Sequence, residues 1–296
     1  MTRLLTYRLK DTTVAYQVGL LKDEHIYPVE TLKTYVTDEA VKSSITSDPE
    51  LFYRQLPPLS VLKDALEDAP ETAGIKETSI EYGPVVTRPS KIICVGVNYL
   101  DHVKEMGHDV PTLPVLFSKF QNALIGHDTD IMGMAKSDQL DYEVELACVI
   151  GKTCTEVSES EALDYILGYT IANDISARDL QKRTPQWLQG KTLDKSTPVG
   201  PVIVTTDELN DASKLAIKST VNGEVRQASS TNQLIFNIPT LIAFISNLIT
   251  LEPGDLILTG TPHGVGFAEK PPRLLQSGDE VVCEIEGIGT LYNTVK

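Results

Sequence analysis

The sequence predicts a β-rich α+β protein. Short runs of β-branched and aromatic residues recur along the whole chain, whereas helical periodicity is confined to a few segments. One run, Leu146-Ala147-Cys148-Val149-Ile150, is apolar without a break, as in a strand entering a core. Asn222-Gly223 lies between two extended runs and is the strongest hairpin signal in the chain.

Residues 1–88 read as a small N-terminal α+β unit. Arg3 to Leu9, Thr13 to Leu21 and His25 to Val29 have strand character, and Leu32 to Leu56 is mixed and partly helical. Ser60 is placed to cap a helix over Val61 to Glu67. Thr87-Arg88-Pro89-Ser90 marks a boundary, and residues 89–296 form the second, larger unit. There Lys91 to Val97 is a strand, and Asn98 to Met106 is a helix of about two turns stopped by Gly107. So short a helix is marginal without tertiary packing, which marks it as a movable element. Pro114 to Gln121 is extended, Ser158 to Tyr165 helical, and Ile166 to Asp174 a buried strand. Pro198-Val199-Gly200-Pro201 reads as a rigid turn before a strand at Val202 to Thr205. Pro239 opens a helix to about Leu248, and Glu280 to Ile285 with Gly289 to Val295 close the chain as a hairpin.

The formal net charge of −15 argues against nucleic acid and against anionic membrane surfaces as partners. No run of about 18 apolar residues indicates a membrane span. The four cysteines form no CxxC pair, and the N-terminal stretch has no apolar core of secretory length, so reduced thiols and a cytoplasmic location are expected.

Chemistry concentrates around Leu140 to Gly151. Side chains on a strand alternate faces, so Glu143 and Glu145 share one, with Asp141 beside them. Carboxylates gathered at the mouth of a core repel one another and resist desolvation. They are read either as a solvated acidic edge or as ligands for a hard cation such as Mg²⁺, Mn²⁺ or Ca²⁺. His102 and Glu105 are three apart and share a helix face, as a surface pair or as a dyad. Asp174, Arg178 and Gln181 follow a strand, Lys191 lies in a loop, and Thr259-Gly260-Thr261-Pro262 forms a glycine-containing turn.

Taken in order, VGVNYLDHVKEMG (95–107), DYEVELACVIGK (141–152), NDISARDLQ (173–181), WLQGKTLDKSTPVGP (187–201) and LEPGDLILTGTPHGVG (251–266) closely resemble the fumarylacetoacetate hydrolase superfamily over residues 90–296. The resemblance implies a mixed β-sandwich roll, commonly preceded by a small N-terminal domain and usually dimeric. By matching position it implies that Glu143, Glu145 and Asp174 hold one divalent ion, typically Mg²⁺. Arg178, Gln181 and Thr261 would contact substrate, and Lys191 would lie beside the ion. His102 and Glu105 match a dyad on a lid helix. Lys195 and Ser196 depart from the small or aromatic residues common after GKT-x-D, which bears on the loop's substrate preference.

The activity implied is metal-dependent hydrolysis of the carbon–carbon bond in small 2,4-dioxo acids, with oxaloacetate decarboxylation as a companion reaction. An isomerase or hydratase of the same superfamily and a non-catalytic member are the alternatives.

Overall fold

The computed structural model describes residues 3–107 and 109–296; His108, to which the sequence assigns no chemistry, lies outside them. Its centre is the strand Val144–Ile150, every residue of which is buried. Ile166–Asn173 flanks it antiparallel on one side and Leu256–Leu258 on the other. Leu146, Cys148 and Ile150 join Ile217, Val281, Cys283 and Leu291 in one apolar core, while Ala147 and Val149 join Leu4, Phe52, Tyr53 and Leu62 in the other. The period-two alternation thus feeds both sides of the sheet, which is why the run is apolar throughout.

The sheet is mixed and large. Its main path runs from Ile75–Lys76 through His25–Pro28, Gln17–Lys22 and Arg3–Leu9 to Thr197–Thr205, then across the central strands to Ile92–Gly96 and Val115–Lys119. Leu256–Leu258 and Ile92–Gly96 run parallel. A second, five-stranded sheet covers one face, and within it Ala216–Val221 and Glu224–Ser230 form the expected hairpin. Asn222 and Gly223 both take positive φ, 51° and 78°, as the favoured two-residue hairpin turn requires.

Three local expectations are corrected. The helix read from Ser60 starts at Leu59 behind Pro58, and no side chain caps it. Only Ala162–Tyr165 forms a short 3₁₀ turn where a helix from Ser158 was expected, because the Ser158 hydroxyl and N–H both bond to Glu161 and hold a local turn instead. Residues 198–201 are not a turn but part of the strand Thr197–Thr205. The ladder to Ile166–Asn173 shifts register between Tyr169 and Ile171, where Gly200 and Pro201 fall, so the missing proline N–H interrupts little.

The chain before residue 89 is joined to the rest by a continuous sheet. Arg3 pairs with Val204 and Leu4 with Ile203, and the Val85 N–H donates to the Val199 carbonyl at 3.2 Å. The division at residues 88 and 89 therefore stands as a proposal about folding units. Leu4 is fully buried at this seam. Leu4→Ala should lower stability by about 2–5 kcal/mol, the usual effect of emptying a core leucine site, within a single unfolding transition followed by calorimetry. Separate melting of an N-terminal unit, with the main transition unmoved, would show that residues 1–88 fold alone.

Candidate active site

The carboxylates come together because two strand ends are stapled. Extended pairing lapses at Tyr142 and Glu143, between Leu140–Asp141 and Val144–Ile150. There the Asp174 N–H donates to the Glu143 carbonyl (2.9 Å), and the Glu143 N–H donates to Asn173 Oδ1 (3.0 Å). One oxygen from each of Glu143, Glu145 and Asp174 lies within 4.8 Å of the others, and all three residues are buried. Asp141, expected beside them, is turned away. It accepts from the Gly266 and Phe267 N–H groups and pairs with Arg178, which makes it a structural anchor.

Three buried cations answer the carboxylates. Lys191, on the one-turn helix Leu188–Lys191, bridges Glu143 and Asp174 at 2.6 Å each. Arg178 lies 2.7 Å from both Asp141 and Glu143 and donates to Gln181 Oε1 at 3.0 Å. Lys119, which the sequence reading passed over, ends the strand Val115–Lys119 and reaches Asp174 Oδ1 at 2.6 Å. Its only sequence signal is a lysine closing a mostly apolar extended run.

Burial pushes the Glu143 carboxyl up, but Lys191 and then Arg178 overcome this and hold it well below the ordinary range. Lys191 is likewise kept cationic, since Asp174 and Glu143 outweigh its desolvation. Glu145 goes the other way. Burial, then Asp174 and Glu143, raise its pKa well above the usual value, and among the described residues its bonding partner is the Gly260 N–H at 2.8 Å, with no cation in contact. Gly260 takes φ +106°, and a Cβ there would stand 2.9 Å from Asn98 Cβ, so only glycine brings this N–H so close. The next residue, Thr261, gives its hydroxyl proton to the Val144 carbonyl and accepts from Gln227 Nε2. The buried Gln227, also unnoticed in the sequence, therefore fixes the turn.

Opposite stands the helix Leu100–Met106, ended by Gly107 at φ +66°. His102 Nδ1 lies 3.0 Å from Glu105 Oε2. An ionised carboxylate only accepts, so Nδ1 carries the proton and Nε2 is left basic. The helix is docked on the glycine-rich turn. Glu105 Oε1 accepts from the Gly264 N–H, and Asp101 Oδ2 meets the Ser229 hydroxyl at 2.7 Å and His263 Nδ1 at 2.9 Å. His263, which the sequence left without a task, thus helps to hold the helix down. Val97, just before it, takes φ +58°, a conformation a β-branched residue resists.

These elements enclose a pocket of about 340 Å³. His102, Glu143, Glu145, Arg178, Gln181, Lys191 and Thr261 line it; Glu105 acts through His102, and Asp174 lies beneath. Lys195 and Ser196 are not part of its wall.

The donor set fits a hard divalent ion. Three carboxylate oxygens converge, and one of them, on Glu145, has no cation in contact among the described residues. Glu145→Gln keeps an acceptor for Gly260. Because its pKa is raised, wild-type Glu145 holds a proton more tightly folded than unfolded. The resulting stability is full below about pH 4.5 and is lost as pH rises through the folded value. In metal-free buffer the melting temperature of Glu145→Gln relative to wild type should therefore climb with pH. Saturating Mg²⁺, at about 100 times its Kd, should add about 2.7 kcal/mol to wild type and clearly less to the variant. Equal metal stabilisation of the two proteins would remove Glu145 from the ligand set.

The fumarylacetoacetate (FAA) hydrolase C-terminal family matches residues 91–296. The chain is 51% identical over 219 residues to a fumarylacetoacetate hydrolase domain-containing protein 2 homolog of Dictyostelium discoideum, covering 70% of this chain and 72% of that one. It is 46% identical over 238 residues to the oxaloacetate tautomerase Fahd2a, mitochondrial, of Rattus norvegicus, covering 80% and 75%. Among solved structures it resembles maleylpyruvate hydrolase from Sphingobium sp. SYK-6 in complex with manganese(II) and pyruvate, at 28% identity and a TM-score of 0.76, over 99% of this chain and 98% of that one. The chain belongs to the fumarylacetoacetate hydrolase family.

Proposed function

We propose that this chain is a divalent-cation-dependent enzyme of small 2-oxo acids that works through an enolate, with keto–enol interconversion of oxaloacetate as its first activity. The observation that carries this reading is the pocket itself. His102, oriented by Glu105, shares it with Lys191, which Glu143 and Asp174 hold in its cationic form, and with three clustered carboxylates. Magnesium or manganese held by Glu143, Glu145 and Asp174 would supply Lewis-acid polarisation of the oxo group. His102 takes the proton from the carbon beside that group, and Glu105 stabilises the imidazolium that results. Lys191, whose ammonium form Asp174 and Glu143 favour, offsets the charge developing on the enolate oxygen. Return of the proton to that oxygen completes the exchange.

Carbon–carbon hydrolysis, the activity put first from the sequence, is the second reading. The His102–Glu105 pair favours it, since the same base can take a proton from water, and the resemblance to a maleylpyruvate hydrolase supports it. Decarboxylation of oxaloacetate reaches the same enolate without a base. A non-catalytic role is disfavoured, because a binding module has no need of a dyad aimed at buried charge. The homodimer and the preference for Mg²⁺ remain proposals, as does the cytoplasm, beside the mitochondrial location in the rat relative's name. Four buried free cysteines suit either reducing compartment.

His102→Ala should lower oxaloacetate tautomerisation and acylpyruvate hydrolysis by about 10²–10⁴-fold, the usual contribution of a positioned general base. Decarboxylation should fall much less, because carbon dioxide leaves without proton abstraction. Lys191→Ala should harm all three reactions together. Rates of each, measured with Mg²⁺ on the same preparations, decide the matter; a His102→Ala variant that loses all three equally would make His102 a binding residue.

A further inference from the structure

The mouth of the pocket carries a cation that neither the dyad nor the carboxylate cluster uses. Lys182 caps the short helix Arg178–Gln181, and its Nζ lies 3.5 Å from the centroid of the Phe267 ring. Both partners hang on one buried pair, since Arg178 leads into Lys182 and the Asp141 that binds Arg178 also accepts from the Phe267 N–H. Lys182 and Phe267 therefore face each other across the pocket wall in a fixed relation.

Every other charged group on that wall has an opposite partner or belongs to the cluster. Lys191 meets Glu143 and Asp174, Arg178 meets Asp141 and Glu143, and His102 meets Glu105. Among the described residues Lys182 has no carboxylate partner; a ring face holds it instead. Lys182 is exposed at the rim; slight desolvation, and then the nearby Arg178, lower its pKa, so an anion arriving there would offset both effects. An ammonium poised on an aromatic face and lacking a counter-ion is an anion receptor in waiting.

We infer that Lys182 is a specificity-determining residue that takes a second, distal carboxylate, so that the pocket selects 2-oxo dicarboxylic acids over 2-oxo monocarboxylic acids. The inference rests on the proposal that the site handles 2-oxo acids and deepens it. The 2-oxo acid end faces the carboxylate cluster and Lys191, and the far carboxylate faces Lys182. A pocket of about 340 Å³ has room for such a short chain with a charge at each end.

The test uses the full chain saturated with Mg²⁺ and a matched pair of four-carbon ligands, fresh oxaloacetate and 2-oxobutyrate, titrated calorimetrically at low temperature. Wild type should bind the dicarboxylate about tenfold more tightly, a modest figure suited to an exposed charge pair, and added salt should shrink that margin. Lys182→Met should erase it with 2-oxobutyrate binding unchanged, while Lys182→Arg should retain it. In turnover, Lys182→Met should raise KM for oxaloacetate about tenfold and leave kcat within about twofold. A Met variant that keeps the preference, or that weakens both ligands alike, overturns the assignment. Turnover by wild type is scored separately. Dicarboxylate preference without turnover would remove the proposed activity and leave the Lys182 clamp standing, and turnover without preference would do the reverse.

Discussion

The structure depends on a buried cluster of charge that does not balance. Asp141, Glu143, Glu145 and Asp174 are withdrawn from water together with only Lys119, Arg178 and Lys191. Removing one partner from a buried ion pair typically costs about 3–5 kcal/mol, because the other charge is stranded. The excess falls on Glu145, which among the described residues has one backbone N–H and no cation in contact, and whose buried carboxyl is therefore pushed toward its protonated form. A fold that keeps such a residue near the start of a fully buried strand forgoes stability there. Stability surrendered at one position, and supported on all sides, is the signature of a site.

The support is extensive. Val144–Ile150 is laddered to Leu256–Leu258 from Ala147 onward, and at its start Glu145 pairs with Ala172 while the Thr261 hydroxyl holds the Val144 carbonyl, so Glu145 does not retreat by fraying. Glu143 is fixed through Asn173 and through the Asp174 N–H, and the Glu145 contact is set by a glycine whose neighbours leave no room for a side chain. Gly190 does the same for Lys191. A Cβ at Gly190 would come within 2.4 Å of the Gln181 nitrogen, so the turn bearing Lys191 packs directly on the one bearing Arg178 and Gln181. The backbone is close-packed where the charges are, which places them to within a fraction of an ångström.

Much of this was legible in the chain because local rules and global structure agree. Period-two alternation put Glu143 and Glu145 together, and they do converge, although the strand breaks beside Glu143. Asn222-Gly223 marked its hairpin through backbone sterics alone. The failures are non-local. Lys119 lies 55 residues from the Asp174 it pairs with, and nothing near it in sequence calls for an anion. Asp141 was grouped with the glutamates by spacing, yet its partners are Arg178 and the turn at Gly266, which only the folded chain supplies. His263 and Asp101 are 162 residues apart. The seam between Arg3–Leu9 and Thr197–Thr205 hides for the same reason, since a composition boundary at Pro89 says nothing about which strand edges will meet.

The docked helix limits what chemistry the site can perform. His102 has one ring nitrogen committed to Glu105, and Glu105 divides its two oxygens between that ring and the Gly264 N–H. The acid that orients the base is therefore the same group that ties the helix to the glycine-rich turn. If the helix lifts, the carboxylate loses Gly264, and His102 leaves the pocket it shares with Lys191. Orientation of the ring and docking of the helix thus run through one side chain. On the proposed reading, proton abstraction would be available only when the helix covers the substrate and water is kept from the enolate. An enzyme that must return a proton to the same intermediate needs that coupling more than one that lets carbon dioxide escape. The geometry of Glu105 thus weighs toward proton transfer as the first activity.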